Sequence, residues 1–227
     1  MAIVSVQGLK REYSQGEHTV HALRGVDLAV ESGEFLALMG ASGSGKTTLL
    51  NLIGGLDEPT AGSVQIEGTD IGGISSGERS DLRRDRIGFV FQAYNLVPVL
   101  TALENAEMVL LLRGVPAGER RAKVMKTLAS VGLEGLENRF PNELSGGQQQ
   151  RVAVARAIAG EPALVLADEP TANLDSKSGN ELISLMARLN EEQGITFVFA
   201  THDPKVMSAA RRVVSMEDGE IREDVRK

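Results

Sequence analysis

The chain has 227 residues, 42% of them hydrophobic and 24% charged, a balance typical of a folded globular domain. Its 24 basic and 31 acidic residues give a net charge of −7, which argues against a nucleic-acid partner, because binding to a phosphate backbone relies on basic surface. The sequence contains no cysteine, which excludes disulfides and cysteine-bound zinc.

Hydropathy gives no sign of a membrane span. No run approaches the roughly 20 apolar residues that a transmembrane helix needs. Residues 1–7 lack the basic start and apolar stretch of a signal peptide, so we expect none. If the protein acts at a membrane, we expect another chain to supply the span.

The first ninety residues are dominated by predicted strands. Alternating or continuous apolar runs, each stopped by glycine or a turn, are typical of strands that are half or fully buried. One helix is predicted after a glycine-rich loop, over residues 46–53, and it is ended by two glycines. The first forty residues are interpreted as strands, with defined runs at 20–31 and 34–39, and further strands are predicted over residues 62–68 and 87–91.

The character of the chain changes after Gln92. Three helices are predicted in succession, over residues 101–113, 116–131 and 148–159. Thr101 is a candidate N-cap, because a glutamate follows three residues later. This middle part is therefore interpreted as an inserted helical subdomain.

Strands return in the last third of the chain and alternate with one more helix. Continuous apolar strands that alternate with helices predict an α/β fold with a parallel sheet covered on both faces. The predicted strands cover residues 163–167, 195–200 and 213–216, and the helix covers residues 176–192.

The glycine-rich loop matches the phosphate-binding pattern G-x-x-x-x-G-K-[ST], and it lies between a predicted strand and a predicted helix. Glycines let backbone N–H groups approach phosphates, and the helix N-terminus adds positive partial charge. Lys46 is expected to reach the β- and γ-phosphates, Thr47 to hold Mg²⁺, and Thr48 to lie beside a nearby phosphate. The pattern comprises Gly40, Ala41, Ser42, Gly43, Ser44, Gly45, Lys46 and Thr47.

Two carboxylates, Asp168 and Glu169, follow a predicted buried strand. Ligands bind at this end of the strands in open α/β sheets. Asp168 is expected to complete the Mg²⁺ shell through water. Glu169 is expected to point elsewhere, because neighbours on an extended segment face opposite ways, and to align and deprotonate an attacking water.

A second glycine-containing motif narrows the function. The motif places a hydroxyl and free N–H groups at the start of a helix, which together form an anion site. It resembles the signature motif of ABC-type ATPases. The resemblance implies that this site binds the γ-phosphate held by the other subunit, so that ATP drives formation of a homodimer. The residues are Leu144, Ser145, Gly146, Gly147 and Gln148.

Four further positions match the order of motifs in that family. The resemblance implies that Tyr13 stacks on adenine and that Gln92 senses Mg²⁺ and the attacking water. It implies that Asp175 belongs to a loop crossing the dimer interface and that His202 lies at the γ-phosphate. Two other histidines, His18 and His21, are interpreted as structural or solvated.

The resemblance covers essentially the whole chain and implies a single domain, 1–227. It implies a P-loop NTPase (RecA-like) core, an N-terminal antiparallel β region and an inserted α-helical subdomain. The core is assigned to residues 1–92 and 161–227, and the helical subdomain to residues 93–160. Small departures, Ala41 and Ala172–Asn173, change neither the charge nor the backbone requirements.

Several short runs resemble the bacterial subgroup of lipoprotein-releasing and macrolide-export ATPases. This resemblance implies an ATPase that works with a separate transmembrane permease, at the cytoplasmic face of the inner membrane. Residues 94–100 mix apolar side chains with Pro98 and are expected to line a groove for a helix of the membrane subunit.

Other functions remain open at this stage. They include the ATPase of another ABC system, for antimicrobial peptides, drugs or cell division, and a non-transport ABC ATPase of repair or translation. The chain lacks the long coiled coil of repair types and the second cassette of translation types. A GTPase or kinase is disfavoured because the Asn-Lys-x-Asp run is absent and a kinase does not need residues 144–148. A regulatory module without turnover is disfavoured by the intact Lys46, Asp168, Glu169 and His202.

Overall fold

The structure, a computed structural model, describes residues 2–16 and 18–227, with Gln15 described by its backbone only. Its strands are β1 Ala2–Gln15, β2 His18–Glu31, β3 Phe35–Met39, β4 Ala61–Ile66, β5 Thr69–Asp70, β6 Ile87–Val90, β7 Leu164–Asp168, β8 Thr196–Thr201, β9 Arg212–Glu217 and β10 Glu220–Arg226. Its helices are α1 Lys46–Ile53, α2 Ser76–Arg86, α3 Ala102–Leu112, α4 Ala117–Ser130, α5 Gly146–Ile158, α6 Ser176–Gln193 and α7 Pro204–Ala209, with a 3-10 turn at Pro141–Glu143.

The described strands form two sheets. An antiparallel sheet has the order β2-β1-β4-β5, and a six-stranded sheet has the order β10-β9-β3-β8-β7-β6. In the larger sheet every pairing is parallel except that of the edge strand β10 with β9. The predicted fold class, an α/β core with an N-terminal antiparallel region and a helical insertion, is confirmed.

The larger sheet is buried on both faces, as its continuous apolar strands predict. One face joins the antiparallel sheet and α1 in an apolar cluster that contains Leu38, Leu52 and Val64. The other face packs with α3, α4, α5 and α6 in a second cluster, in which Phe35, Phe197 and Phe199 have tilted or stacked rings. Helix α1 lies between the two sheets, so the loop that precedes it is held at the carboxyl end of β3.

The inserted helices α3, α4 and α5 all fall within the segment 93–160. Their buried faces share one apolar cluster with the sheet and with α6. The helical segment thus packs into the same core as the rest of the chain. The division into a core of residues 1–92 with 161–227 and a subdomain of residues 93–160 stays a prediction.

Two helices, α2 and α7, and two strands, β5 and β10, escaped the sequence analysis. Helix α2 has no buried residue, so no apolar period reveals it. Its start carries a local signal, because Ser75 and Glu78 form a capping box. Strand β10 is polar and largely exposed and depends on pairing with β9.

Candidate active site

The phosphate-binding loop runs from the end of β3 to the start of α1, as the pattern predicts. At Gly40, φ is 155°, and a Cβ there would lie 2.3 Å from the carbonyl oxygen of Met216, so only glycine fits. Gly45 is the N-cap of α1 in a left-handed conformation, and no side chain among the described residues caps this helix start. The first N–H groups of α1 are therefore left for a ligand, as expected of an anion site.

Lys46 and Thr47 lie on the first turn of α1 and reach different partners. The Lys46 ammonium is buried and donates to the carbonyls of Gly40 at 2.7 Å and Ala41 at 2.9 Å, which places its charge over the loop. The Thr47 hydroxyl donates to Oδ1 of Asp168 at 3.0 Å. Two of the three side chains predicted to serve Mg²⁺, Thr47 and Asp168, are thus direct neighbours.

Asp168 ends β7 and lies beside the phosphate-binding loop. Burial, together with the charge of Glu169, raises the pKa of the Asp168 carboxyl, although the Thr47 hydrogen bond and the Lys46 charge oppose the shift. A carboxylate that is costly to bury in its charged form is suited to a cation ligand, because the cation offsets that cost.

Glu169 points away from Asp168, but for a reason that the sequence analysis got wrong. It is not on an extended segment: its φ is +45°, in the left-handed region, and β7 has already ended. The Glu169 N–H donates to the carbonyl of Ala200 in β8, at 2.9 Å. Its carboxylate contacts His202 Nδ1 at 2.7 Å and accepts from the Thr201 hydroxyl at 3.3 Å. This strained turn fixes the direction of the predicted base.

Glu169 and His202 differ in exposure. The side chain of Glu169 is 18% exposed, and that of His202 is 73% exposed. The histidine therefore presents its ring to solvent while Nδ1 is tied to the carboxylate. A group at this position can contact a ligand that arrives from outside the cavity.

A cavity of 790 Å³ joins most of the predicted residues, and this volume lies within the range of about 300–1,000 Å³ typical of ligand sites. Its lining also contains Val20, His21 and Ala22 on β2, which the sequence analysis did not assign. His21 was interpreted as structural or solvated, and only its pairing opposite Glu12 across the β1–β2 hairpin brings it here. The predicted residues in the lining are Tyr13, Ala41, Ser42, Gly43, Gly45, Lys46, Thr47, Thr48, Gln92, Asp168, Glu169 and His202.

The signature residues are not in this cavity. Ser145, Gly146, Gly147 and Gln148 form the start of α5, where the Ser145 hydroxyl accepts from the Gln148 backbone N–H and the side-chain Oε1 of Gln148 accepts from the Ser145 N–H. Asp175 is likewise outside the cavity lining. It caps α6 by accepting from the N–H groups of Lys177 and Ser178. One chain thus presents two separate groups of predicted ligand residues, and the roles of the second group stay predictions.

Two residues of α5 that the sequence analysis missed connect the helical insertion to the site. The side-chain amide of the buried Gln150 donates to the carbonyls of Phe91 at 3.1 Å and Pro170 at 2.8 Å, next to Gln92 and Glu169 respectively. Arg156 donates to the carbonyls of Tyr94 and Asn95. Both bond backbone groups, so no charge pattern in the sequence marks them.

The described residues hold no group of three or more histidine or acidic side chains suited to a metal ion. Mg²⁺ is commonly held by one or two protein groups with phosphate oxygens and water, so Thr47 and Asp168 fit it in the presence of a nucleotide. Gln92 lines the same cavity and can join them. No helix in the described part of the chain has the length and apolarity to cross a membrane.

A second cavity, of 470 Å³, lies between the core and the helical insertion. Of the segment 94–100 only Asn95 lines it, and Leu96 instead packs against the apolar cluster. The lining combines apolar and arginine side chains, and its residues are Leu56, Ser80, Arg83, Arg84, Ile87, Gly88, Phe89, Phe91, Asn95, Val109, Arg113, Arg156, Ala157, Gly160 and Pro162. We call this cavity the docking groove.

Comparisons with known proteins agree with this geometry. Residues 23–172 match the family described as ABC transporter. The chain is 47% identical over 225 residues to the uncharacterized ABC transporter ATP-binding protein MJ0796 of Methanocaldococcus jannaschii, covering 96% of this chain and 95% of that protein. It is 46% identical to a macrolide export ATP-binding/permease protein MacB of Paracoccus denitrificans, over 99% of this chain but 33% of that protein.

A solved structure is similar along nearly the whole chain. The dimeric MJ0796 cassette in a post-hydrolysis state, bound to ADP and Pi, superposes with a TM-score of 0.90 at 44% identity. The match covers 98% of each chain.

Proposed function

Because this chain belongs to the ABC transporter family, in the branch of its ATP-binding proteins, we propose that it binds MgATP, dimerises around it and hydrolyses it. The observation that carries the proposal is the division of the predicted phosphate ligands. The cavity contains the phosphate-binding loop and the acidic pair, whereas Ser145 and Gly147 lie outside it. A second copy can supply the missing half, as the dimeric form of the similar cassette supports.

The residues around the cavity divide the chemistry among them. The phosphate-binding loop and Lys46 would neutralise the phosphates, and Thr47 with Asp168 would hold Mg²⁺, which would supply Lewis-acid stabilisation of phosphate charge. Glu169 orients a water and accepts its proton, and His202, hydrogen-bonded to Glu169, contacts the terminal phosphate. Ser145 and Gly147 of the second copy donate to that phosphate from the opposite side.

Substitution of Glu169 by Gln tests this division of roles. The amide keeps the size of the side chain but removes the base, so we expect ATP binding to persist and turnover to fall about 100-fold or more. ATP-bound dimers should then accumulate, and gel filtration with and without MgATP measures them. Normal hydrolysis by this variant would remove Glu169 from its role.

We propose that the membrane partner is a separate permease and that one of its helices occupies the docking groove. The apolar part of the groove lining includes Phe89, Phe91 and Val109, together with Leu56, which is 49% exposed. Gln150 and Arg156 of the nearby helix α5 are hydrogen-bonded to backbone carbonyls beside the nucleotide cavity. A displacement of α5 by a helix bound in the groove can therefore change the position of residues at the nucleotide. With such a partner, the chain would act as a peripheral subunit at the cytoplasmic face of the inner membrane, and this location is part of the proposal.

The occupant of the groove can be tested with two matched leucines. Leu56→Asp places a charge in the groove, whereas Leu111→Asp alters a 55% exposed leucine that does not line it. We expect only Leu56→Asp to abolish co-purification with the permease, while both variants keep ATP binding. Equal co-purification of the two variants would contradict the proposed docking.

The transported substrate is proposed only as a class. The macrolide export proteins at 46% identity support an export system, either for a drug-like compound or for lipoprotein release. Identification of the permease that co-purifies with the chain distinguishes the two classes, because the membrane subunit selects the substrate.

A further inference from the structure

Three side chains, those of Arg11, Tyr13 and Asp57, form a compact cluster beside the 790 Å³ cavity that the phosphate-binding loop lines. The Tyr13 hydroxyl donates to Oδ2 of Asp57 at 2.6 Å. The Arg11 guanidinium donates to both oxygens of the same carboxylate, at 2.7 and 2.9 Å, and also lies 4.4 Å from the centroid of the Tyr13 ring. Of the three, only Tyr13 lines the cavity.

The carboxylate of Asp57 is itself held in place. The turn after α1 is closed by the Leu56 N–H, which donates to the Asn51 carbonyl at 2.8 Å. The Glu58 N–H then donates to Asp57 Oδ1 at 2.8 Å. The loop is joined to β1 by the Thr60 N–H, which donates to the Lys10 carbonyl at 2.9 Å, so the carboxylate has a defined position relative to Tyr13.

The charge of the cluster is internally balanced. Burial opposes ionisation of Asp57, but hydrogen bonds from Tyr13 and from the Glu58 N–H, with the charge of Arg11, lower the pKa of its carboxyl. Asp57 is therefore a carboxylate at neutral pH and a strong acceptor for the phenol. A bidentate Arg–carboxylate pair adds geometric specificity as well as energy.

The cluster determines which face of the Tyr13 ring is free. Arg11 covers one face by a cation–π contact. A planar ligand entering the cavity can then stack only on the opposite face. Because the ring is already held by its hydroxyl, a ligand does not have to immobilise it, and binding avoids the entropy cost of ordering a free side chain.

We propose that Arg11 and Asp57 are positioning residues that hold the Tyr13 ring as a preformed platform for the nucleotide base. The inference rests on the proposed function, since it takes the cavity to bind ATP with its base at Tyr13. It goes beyond that function by assigning a role to two residues that touch neither phosphates nor Mg²⁺.

The decisive measurement separates the base end of the ligand from its phosphate end. For Asp57→Ala we expect the dissociation constant and KM for MgATP to rise roughly 3- to 10-fold, which corresponds to the loss of one ordered side chain. The affinity for Mg-tripolyphosphate, which has no base, should not change. The kcat at saturating ATP should stay within about twofold of the original value, because the platform contributes to binding rather than to the chemical step.

A double-substitution cycle tests whether Asp57 acts through Tyr13. In a Tyr13→Ala background, the further change Asp57→Ala should have no additional effect on ATP affinity. Tyr13→Phe, which keeps the ring and the contact with Arg11 but loses the hydroxyl, should weaken ATP binding in the same direction. Asp57→Asn, which keeps an acceptor for the hydroxyl, should recover part of the affinity.

Glu58→Ala is the matched control, because Glu58 lies in the same loop and pairs with Arg79 but does not touch Tyr13. It should leave the affinities for ATP and tripolyphosphate unchanged. The inference is overturned if Asp57→Ala weakens both ligands equally, if its effect persists without Tyr13, or if ATP affinity does not change. Failure of the proposed function itself would show separately, as an original protein that neither binds nor hydrolyses MgATP.

Discussion

Helices α1 and α5 both begin at predicted phosphate sites, but their first turns are satisfied in different ways. The start of α1 has Gly45 as its N-cap and no capping side chain among the described residues. The start of α5 is closed by the reciprocal hydrogen bonds of Ser145 and Gln148. One chain thus contains a helix start that is open to an anion and one at which the N–H groups of Ser145 and Gln148 are already bonded within the capping box.

The capping box of α5 also differs from two others in the same molecule. At α2 and α3, the hydroxyls of Ser75 and Thr101 donate to the capping glutamates at 2.7 and 2.8 Å. At α5 the capping residue is the neutral Gln148, and the Ser145 hydroxyl donates to no group within residues 2–16 and 18–227. The start of α5 therefore keeps a spare donor and carries no negative charge, which are the properties that a phosphate requires.

The largest effect on ATP hydrolysis is expected from a substitution at the open site, at the start of α1. Lys46→Ala removes the ammonium that lies over the phosphate-binding loop, and we expect kcat/KM for ATP to fall about 100-fold or more. A phosphate-release assay measures this, with circular dichroism as the control for folding. Hydrolysis within about threefold of the original value would mean that helix α1 binds phosphate without help from its lysine.

A change of charge tests the second site, at the start of α5, and we expect a smaller effect there. Gln148→Glu converts the α5 box to the type found at α2 and α3, so the helix should stay stable while a carboxylate repels the incoming phosphate. We expect the MgATP concentration needed for dimerisation to rise about 10-fold, a typical size for one unfavourable charge contact.

The reverse swap is available as a control. Glu104→Gln gives the box of α3 a glutamine like that at α5, and Glu104 is not among the residues that line the nucleotide cavity. It should leave dimerisation unchanged in analytical ultracentrifugation. If Gln148→Glu dimerises as readily as the original chain, the start of α5 does not face a phosphate.

The smallest effect concerns stability alone. Ser145→Ala and Thr101→Ala each remove one capping hydroxyl from the same kind of box, so each should lower the free energy of unfolding by about 1 kcal/mol. Urea denaturation measures both. Only Ser145→Ala should also weaken ATP-driven dimerisation, and the same loss in both variants would attribute it to general destabilisation.

Local structure around the motifs was predictable. The phosphate-binding loop, the acidic pair at a strand end and the capping box of α3 each occupy a few consecutive residues, and their backbone requirements follow from residue type. Long apolar strands and amphipathic helices were predicted within a few residues for the same reason. Helix α2 and strand β10 were missed because neither buries an apolar face of its own.

Contacts between distant segments needed the folded chain. Tyr13 and Asp57 lie 44 positions apart, and nothing in either neighbourhood marks the other. The direction of Glu169 depends on a left-handed turn anchored to β8, and His21 enters the cavity only through the register of β1 with β2. Residue type decides which hydrogen bonds a group can form. Packing of the sheets and helices decides which partner lies close enough to form them, because the distance between two segments depends on how the whole core packs.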